Sequence, residues 1–113
     1  MSNETNAVIA LQKALEAKFG QNIIAMDLRG VTPIADFFVI VTGNSAPQLA
    51  ALADTAEMTL KAEGLQLNHT EGLKSANWVL LDFGHVIVHI FDKESREYYN
   101  LERIWGDAKR LTH

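Results

Sequence analysis

Apolar residues return at helical spacing in two stretches of the chain. From Ala7 to about Phe19, the side chains of Val8, Leu11, Ala14, Leu15 and Phe19 fall on one face, and Gly20 follows as the expected C-cap. Leu49, Leu52, Ala53, Ala56 and Leu60 form a second such face, closed by Gly64. Ser45-Ala46-Pro47-Gln48 precedes that face and has the form of a capping box. The Ser45 hydroxyl accepts from an early helix N–H, the Gln48 side chain reaches back, and Pro47 occupies the first turn, where its missing donor costs little.

Between and after these helices the pattern changes to that of strands. Ile23 to Leu28 predicts a strand, and Arg29 to Asp36, with Gly30 and Pro33, a loop. Phe37 to Val41 is apolar on both parities, the mark of a strand buried on both faces. A short strand is expected around Leu65 to Asn68, then a loop containing Glu71-Gly72. Trp78 to Phe83 and Val86 to Phe91 predict two strands joined by Gly84-His85, with glycine at the first central position of a type II′ turn. Leu101, Ile104 and Trp105 have the spacing of a short amphipathic helix docked on the sheet, with Trp105 packing in a core. The predicted fold is a single α/β (α+β) domain with a mixed sheet of about five strands and flanking helices. Residues 1–6 are expected to be a disordered lead, 7–108 the domain, and 109–113 a frayed C-terminus.

The C-terminal hairpin separates its side chains most sharply. With Gly84 and His85 as its loop, Phe83 faces Val86, Leu81 faces Val88 and Val79 faces Ile90, a wholly apolar side that must be core. The other side pairs Asp82 with Ile87, Leu80 with His89 and Trp78 with Phe91. That mixture is neither a clean core nor a clean solvent face. Either the first helix or the Leu101-Ile104-Trp105 segment covers some of it, or it is an exposed aromatic and aliphatic patch of the kind proteins use to bind one another. Tyr98 and Tyr99 are adjacent, so they cannot both face one core, and at least one should be available to a partner.

Composition narrows the function. The chain has 113 residues, no cysteine, ten Lys plus Arg and fourteen Asp plus Glu, for a formal net charge of -4. One domain of this size supports a real core without staples. Absence of cysteine excludes disulfides, a thiol nucleophile and thiolate zinc sites. The only adjacent basic pair is Lys109-Arg110, so autonomous nucleic-acid binding is not expected, and a basic protein partner is electrostatically favoured. No apolar run approaches the ~20 residues of a membrane span, and the polar, acid-bearing start fits no targeting peptide, so a cytoplasmic location is expected.

Candidate chemistry is sparse. Gly43-Asn44-Ser45, between a strand and a helix, invites a phosphate-loop reading, but it lacks a Walker Gly-Lys-Ser/Thr and the further glycines of a dinucleotide fingerprint. Nucleotidyl transfer needs paired carboxylates on a following strand to hold magnesium, and no Asp-x-Asp or Asp-x-Glu stands there. His85 and His89 are separated by roughly 13 Å along a strand, too far to share a metal. His69 and His113 are placed in a loop and at the terminus. Ser45 has no nearby base in sequence, and its capping role accounts for it. No metal, cofactor or catalytic residue is assigned.

Ala35-Asp36-Phe37-Phe38-Val39-Ile40-Val41-Thr42-Gly43-Asn44-Ser45, Glu71-Gly72, Trp78-Val79-Leu80-Leu81-Asp82, Gly84, Val86-Ile87-Val88-His89, Arg96, Tyr99, Leu101-Glu102 and Trp105 together resemble the ribosomal silencing factor, or Iojap-like, family. The resemblance spans about Ala7 to Ala108. His85 departs from it, standing where an acidic residue is usual, as does Ala46-Pro47 in place of a polar or basic pair. The resemblance implies a nucleotidyltransferase-like fold without catalytic residues. It also implies binding to the fourteenth protein of the large ribosomal subunit, which blocks subunit joining and represses translation without chemistry, and formation of homodimers. The expected partner-binding residues are Trp78, Leu80, Asp82, His89, Phe91 and Tyr99. The rival functions are a metal-dependent nucleotidyltransferase-like enzyme and a homodimeric scaffold with no ribosomal role.

Overall fold

A computed structural model describes residues 3–72, 77–106 and 108–111. Helix α1 (Asn3–Ala17) precedes strands β1 (Gln21–Asp27) and β2 (Phe37–Thr42), helix α2 (Ala46–Ala62), and strands β3 (His69–Glu71), β4 (Trp78–Asp82) and β5 (Val86–Phe91). Two short helices, α3 (Lys93–Tyr99) and α4 (Leu101–Ile104), and a final strand, β6 (Lys109–Arg110), complete the chain. The strands form one six-stranded mixed sheet in the order β3-β4-β5-β2-β1-β6. The central pair β2 and β5 is parallel and the other pairings are antiparallel. This is the α+β domain expected from the pattern, with one more strand.

Helices α1 and α2 cover one face of the sheet. Ala7, Val8, Leu11 and Leu15 from α1 meet Leu49, Leu52, Ala53, Ala56 and Leu60 from α2, over Phe37, Val39, Val41, Val79, Leu81, Val88 and Ile90 of the strands. Every residue of β2 is buried, as its apolar parity on both faces requires. The cap of α2 forms at Ser45, whose Oγ accepts from Gln48 N–H at 3.2 Å. The reach-back of Gln48 goes to the Asn44 N–H, at 2.5 Å, while its amide donates to the Phe19 carbonyl at the end of α1, at 3.0 Å. The capped turn thereby ties the two helices together. Gly43 is needed for close packing: a Cβ there would lie 2.7 Å from the Leu49 side chain.

The structure corrects the sequence at its margins. Helix α1 begins at Asn3, so residues expected in a disordered lead form its first turn. Phe19, expected on its apolar face, is 80% exposed and takes the left-handed position (φ 64) itself. The bonds Phe19 N–H to Glu16 O and Gly20 N–H to Leu15 O then close a Schellman motif one residue ahead of the glycine. The strand expected at Leu65–Asn68 is displaced to His69–Glu71, because Leu65 and Leu67 pack against the helix-side core and lie outside the ladder. Helix α3 starts on Asp92, whose Oδ1 accepts from Ser95 N–H at 2.7 Å. The expected frayed end at 109–113 pairs with β1 through Lys109 and Arg110, and Leu111 N–H bonds the Ala25 carbonyl at 2.8 Å. A two-residue charged edge strand carries no alternation that a sequence pattern could register. Residues 1, 2, 112 and 113 of those expected termini, with His113 among them, lie outside the described residues.

Candidate partner-binding surface

The hairpin has the register the alternation predicts. Trp78 stands opposite Phe91, Val79 opposite Ile90, Leu80 opposite His89, Leu81 opposite Val88 and Asp82 opposite Ile87. Phe83 N–H closes the turn on the Val86 carbonyl at 2.9 Å, and Gly84 supplies the positive φ (82) while His85 does not need one. Trp78, Leu80 and Asp82 of β4, with Ile87, His89 and Phe91 of β5, therefore turn away from α1 and α2. Pairing of β3 with β4 brings Glu71 beside Leu80 and His69 beside Asp82 on this outer face.

The outer face is half covered. Short helices α3 and α4, rather than α1, lie over it and add Tyr99, Leu101 and Trp105 to the second apolar cluster built on Phe38, Ile40, Met26 and Phe91. Trp105 meets Phe38 edge-on with centroids 6.3 Å apart, so its expected packing role holds, although it remains half-buried. Trp78, Leu80, Asp82 and Ile87 are likewise half-buried at the open end. Tyr99 is 44% exposed and Tyr98 81% exposed, so both tyrosines reach solvent.

Two expected contact residues are not on the surface. Phe91 is 1% exposed and His89 4% exposed. Phe91 lies under Trp78 (5.0 Å, stacked) and Tyr99 (6.1 Å, stacked), and His89 lies between Phe38 (4.7 Å) and Trp78 (5.8 Å). They form the floor on which Trp78 rests. Strand alternation placed them on the correct side but could not show that neighbouring rings close over them.

Trp78 is held from several directions. Tyr99 packs on it at 4.6 Å, and its indole Nε1–H donates to His89 Nδ1 at 3.2 Å. Burial pushes the His89 pKa down to about 4, so the ring is neutral near pH 7. With Nδ1 accepting, its proton sits on Nε2, which is buried without a hydrogen-bond partner among the described residues. Arg96, which is not among the partner-binding residues expected from the sequence, fixes the cover: it is 7% exposed, and its guanidinium donates to Thr42 Oγ1 at 3.0 Å and Glu102 Oε1 at 3.1 Å. These bonds join α3, α4 and the end of β2, and so position Tyr99. Arginine at one buried place in a polar segment gives no hydropathy signal, which is why the pattern missed it.

Asp82 has a structural duty as well as exposure. Its Oδ1 accepts from Gly84 N–H at 2.7 Å and braces the hairpin turn. At that turn His85 Nδ1 lies 3.5 Å from Asp36 Oδ2, an attraction whenever the ring is protonated. An acidic side chain at this place would instead meet Asp36 with like charge. Ser45 and Gly43, weighed for phosphate chemistry, are engaged in the cap and in packing. Among the described residues, no group of three or more His, Cys, Asp or Glu is arranged to hold a metal ion, and no helix is long and apolar enough to cross a membrane.

Comparison with known proteins gives a consistent result. The family described as ribosomal silencing factor during starvation matches residues 2–113. A ribosomal silencing factor of Halalkalibacterium halodurans is 41% identical over 108 residues, covering 96% of this chain and 92% of the relative. One from Bacillus subtilis is 40% identical over 106 residues, covering 94% and 90%. A crystal structure of a Chromobacterium violaceum protein superposes with a TM-score of 0.86 at 34% identity, covering 94% of this chain and 88% of that one.

Proposed function

Because the chain belongs to the ribosomal silencing factor family, we propose that it is a cytoplasmic repressor of translation that works by occupying a surface of the large ribosomal subunit. The contact is with the fourteenth protein of that subunit, on the side that meets the small subunit, and the bound protein stops the two from joining. The observation that carries this reading is the half-open outer face of the hairpin. Trp78, Leu80 and Ile87 leave apolar area in solvent around an aromatic anchor, with Asp82 at one end and Tyr99 at the other. Aromatic anchors in patches that lose water on docking carry much of the energy of protein interfaces. Asp82 and Glu71 give this face the sign that a basic ribosomal protein attracts.

Occlusion needs no bond to be made or broken, so the protein acts stoichiometrically and without a cofactor. Self-association through the same patch is part of the proposal, and dimer and ribosome-bound forms then exclude one another. The test is sedimentation of the purified protein with isolated large subunits, followed by addition of small subunits. One copy per large subunit and a lower yield of joined ribosomes are expected. Free sedimentation of the protein with unimpaired joining overturns the proposal.

A further inference from the structure

We propose that His89 is a positioning residue for the Trp78 anchor, fixing through Nδ1 the edge of the indole that would otherwise be free to turn on the stacked rings beneath it; this rests on the partner-binding role proposed for the hairpin face. Stacking on Phe91 (5.0 Å) and contact with Tyr99 (4.6 Å) hold the plane of the indole but not its rotation within that plane. The 3.2 Å bond from Nε1–H to His89 Nδ1 removes that freedom. It also satisfies the indole donor from within. A docking partner can then cover Trp78 with apolar atoms and need not supply an acceptor, which keeps the desolvation cost of binding low.

The arrangement has a cost elsewhere. A ring whose Nδ1 accepts must carry its proton on Nε2, and that atom is buried without a partner among the described residues, in a ring packed against Phe38, Trp78 and Phe91. An apolar side chain of similar size would avoid that loss. His89 therefore serves the orientation of Trp78 at the expense of an unsatisfied donor, and the two effects are separable by substitution.

His89→Leu should fold with a melting temperature at neutral pH equal to or above wild type, yet bind large subunits about fivefold more weakly, the usual value of one neutral hydrogen bond. A residue that only fills space would show the two properties moving together. In a Trp78→Phe background, which has no indole donor, His89→Leu should have no further effect on binding, so the double-mutant cycle shows coupling. On the unmodified protein, nitrogen NMR of the imidazole should show the proton on Nε2 and a hydrogen-bonded Nδ1. That measurement decides the question even if the leucine variant does not fold. A proton on Nδ1, or wild-type binding by a folded His89→Leu protein, overturns the inference. Wild-type protein that fails to bind large subunits at all overturns the partner reading instead, and the two failures are thus distinguishable.

Discussion

The two faces of one hairpin are built by opposite rules. On the inner face Val79, Leu81, Phe83, Val86, Val88 and Ile90 are each 5% exposed or less, under two helices of 15 and 17 residues. On the outer face helices of seven and four residues give only partial cover: Phe38 and Trp78 close over His89, Trp78 and Tyr99 over Phe91, and Trp78, Leu80, Asp82 and Ile87 stay half open. The inner face of the hairpin itself presents only apolar side chains, and the polar residues buried on that side, Thr5 and Gln12, belong to the covering helix α1. The outer face buries an imidazole whose Nε2 has no partner among the described residues, and an arginine held by Thr42 and Glu102. Stability is concentrated where the packing is uniform, and recognition where polar groups interrupt it.

Substitution on the inner face should produce the largest effect. Leu81→Ala is expected to destabilise the fold by about 2 to 4 kcal/mol, and Val88→Ala by somewhat less, because each leaves a cavity in a closed core. Urea unfolding measures this, and an unchanged midpoint would mean that the assignment of faces is inverted. The outer face should reveal itself next, through pH. His89 has its folded pKa lowered by burial to about 4, against 6.5 when unfolded. Between these values the unfolded chain binds more protons, so stability is complete above about pH 6.5 and falls as the pH falls toward 4. The loss from this group is on the order of 3 kcal/mol. His89→Leu should flatten that part of the stability profile, whereas Leu81→Ala should lower the whole profile and leave its slope unchanged.

The difference between the faces also decided what could be read from the chain. The register of the hairpin, the cap of α2 and its five buried positions follow from strict alternation, from Ser45 and Gln48, and from a glycine able to take positive φ. Those are local rules and they hold over the helix-covered core. Helix α3 buries only Arg96, and β6 consists of two charged residues, so neither offers a periodicity. They form because tertiary partners exist, namely Thr42 and Glu102 for the arginine and Met26 and Asp27 for the strand. The same limit applies to the site. Alternation puts Trp78, Leu80, Asp82, His89 and Phe91 on the outer side of the hairpin, but which of them stay half open and which are buried depends on how the rings of Trp78, Tyr99 and Phe38 close over His89 and Phe91.

For binding, the order of importance should be reversed. Trp78→Ala removes the anchor and is expected to cost about 2 kcal/mol of binding energy, or about thirtyfold in affinity for large subunits. The fold should survive better than after Leu81→Ala, since Trp78 is half-buried on the outer face whereas Leu81 is closed within the core. Near-UV circular dichroism and sedimentation on the same sample separate the two effects. A Trp78→Ala protein that is folded and binds like wild type would move the docking surface away from the hairpin.

The smallest effect sharpens the comparison furthest, because it falls on a residue that belongs to both functions. Asp82 braces the turn through Oδ1 and the Gly84 N–H, so Asp82→Lys would remove the brace together with the charge and confuse stability with recognition. Asp82→Asn keeps an oxygen in position to accept from Gly84 and deletes only the charge. Stability should change little, and affinity should fall by a factor of a few, in line with a rim charge worth under about 1 kcal/mol. Long-range attraction is screened by salt, so the deficit should be largest at low ionic strength and fade above physiological salt, chiefly through a slower on-rate. An Asp82→Asn protein whose association rate and salt dependence match wild type would show that the acidic end of the patch does not meet a basic partner.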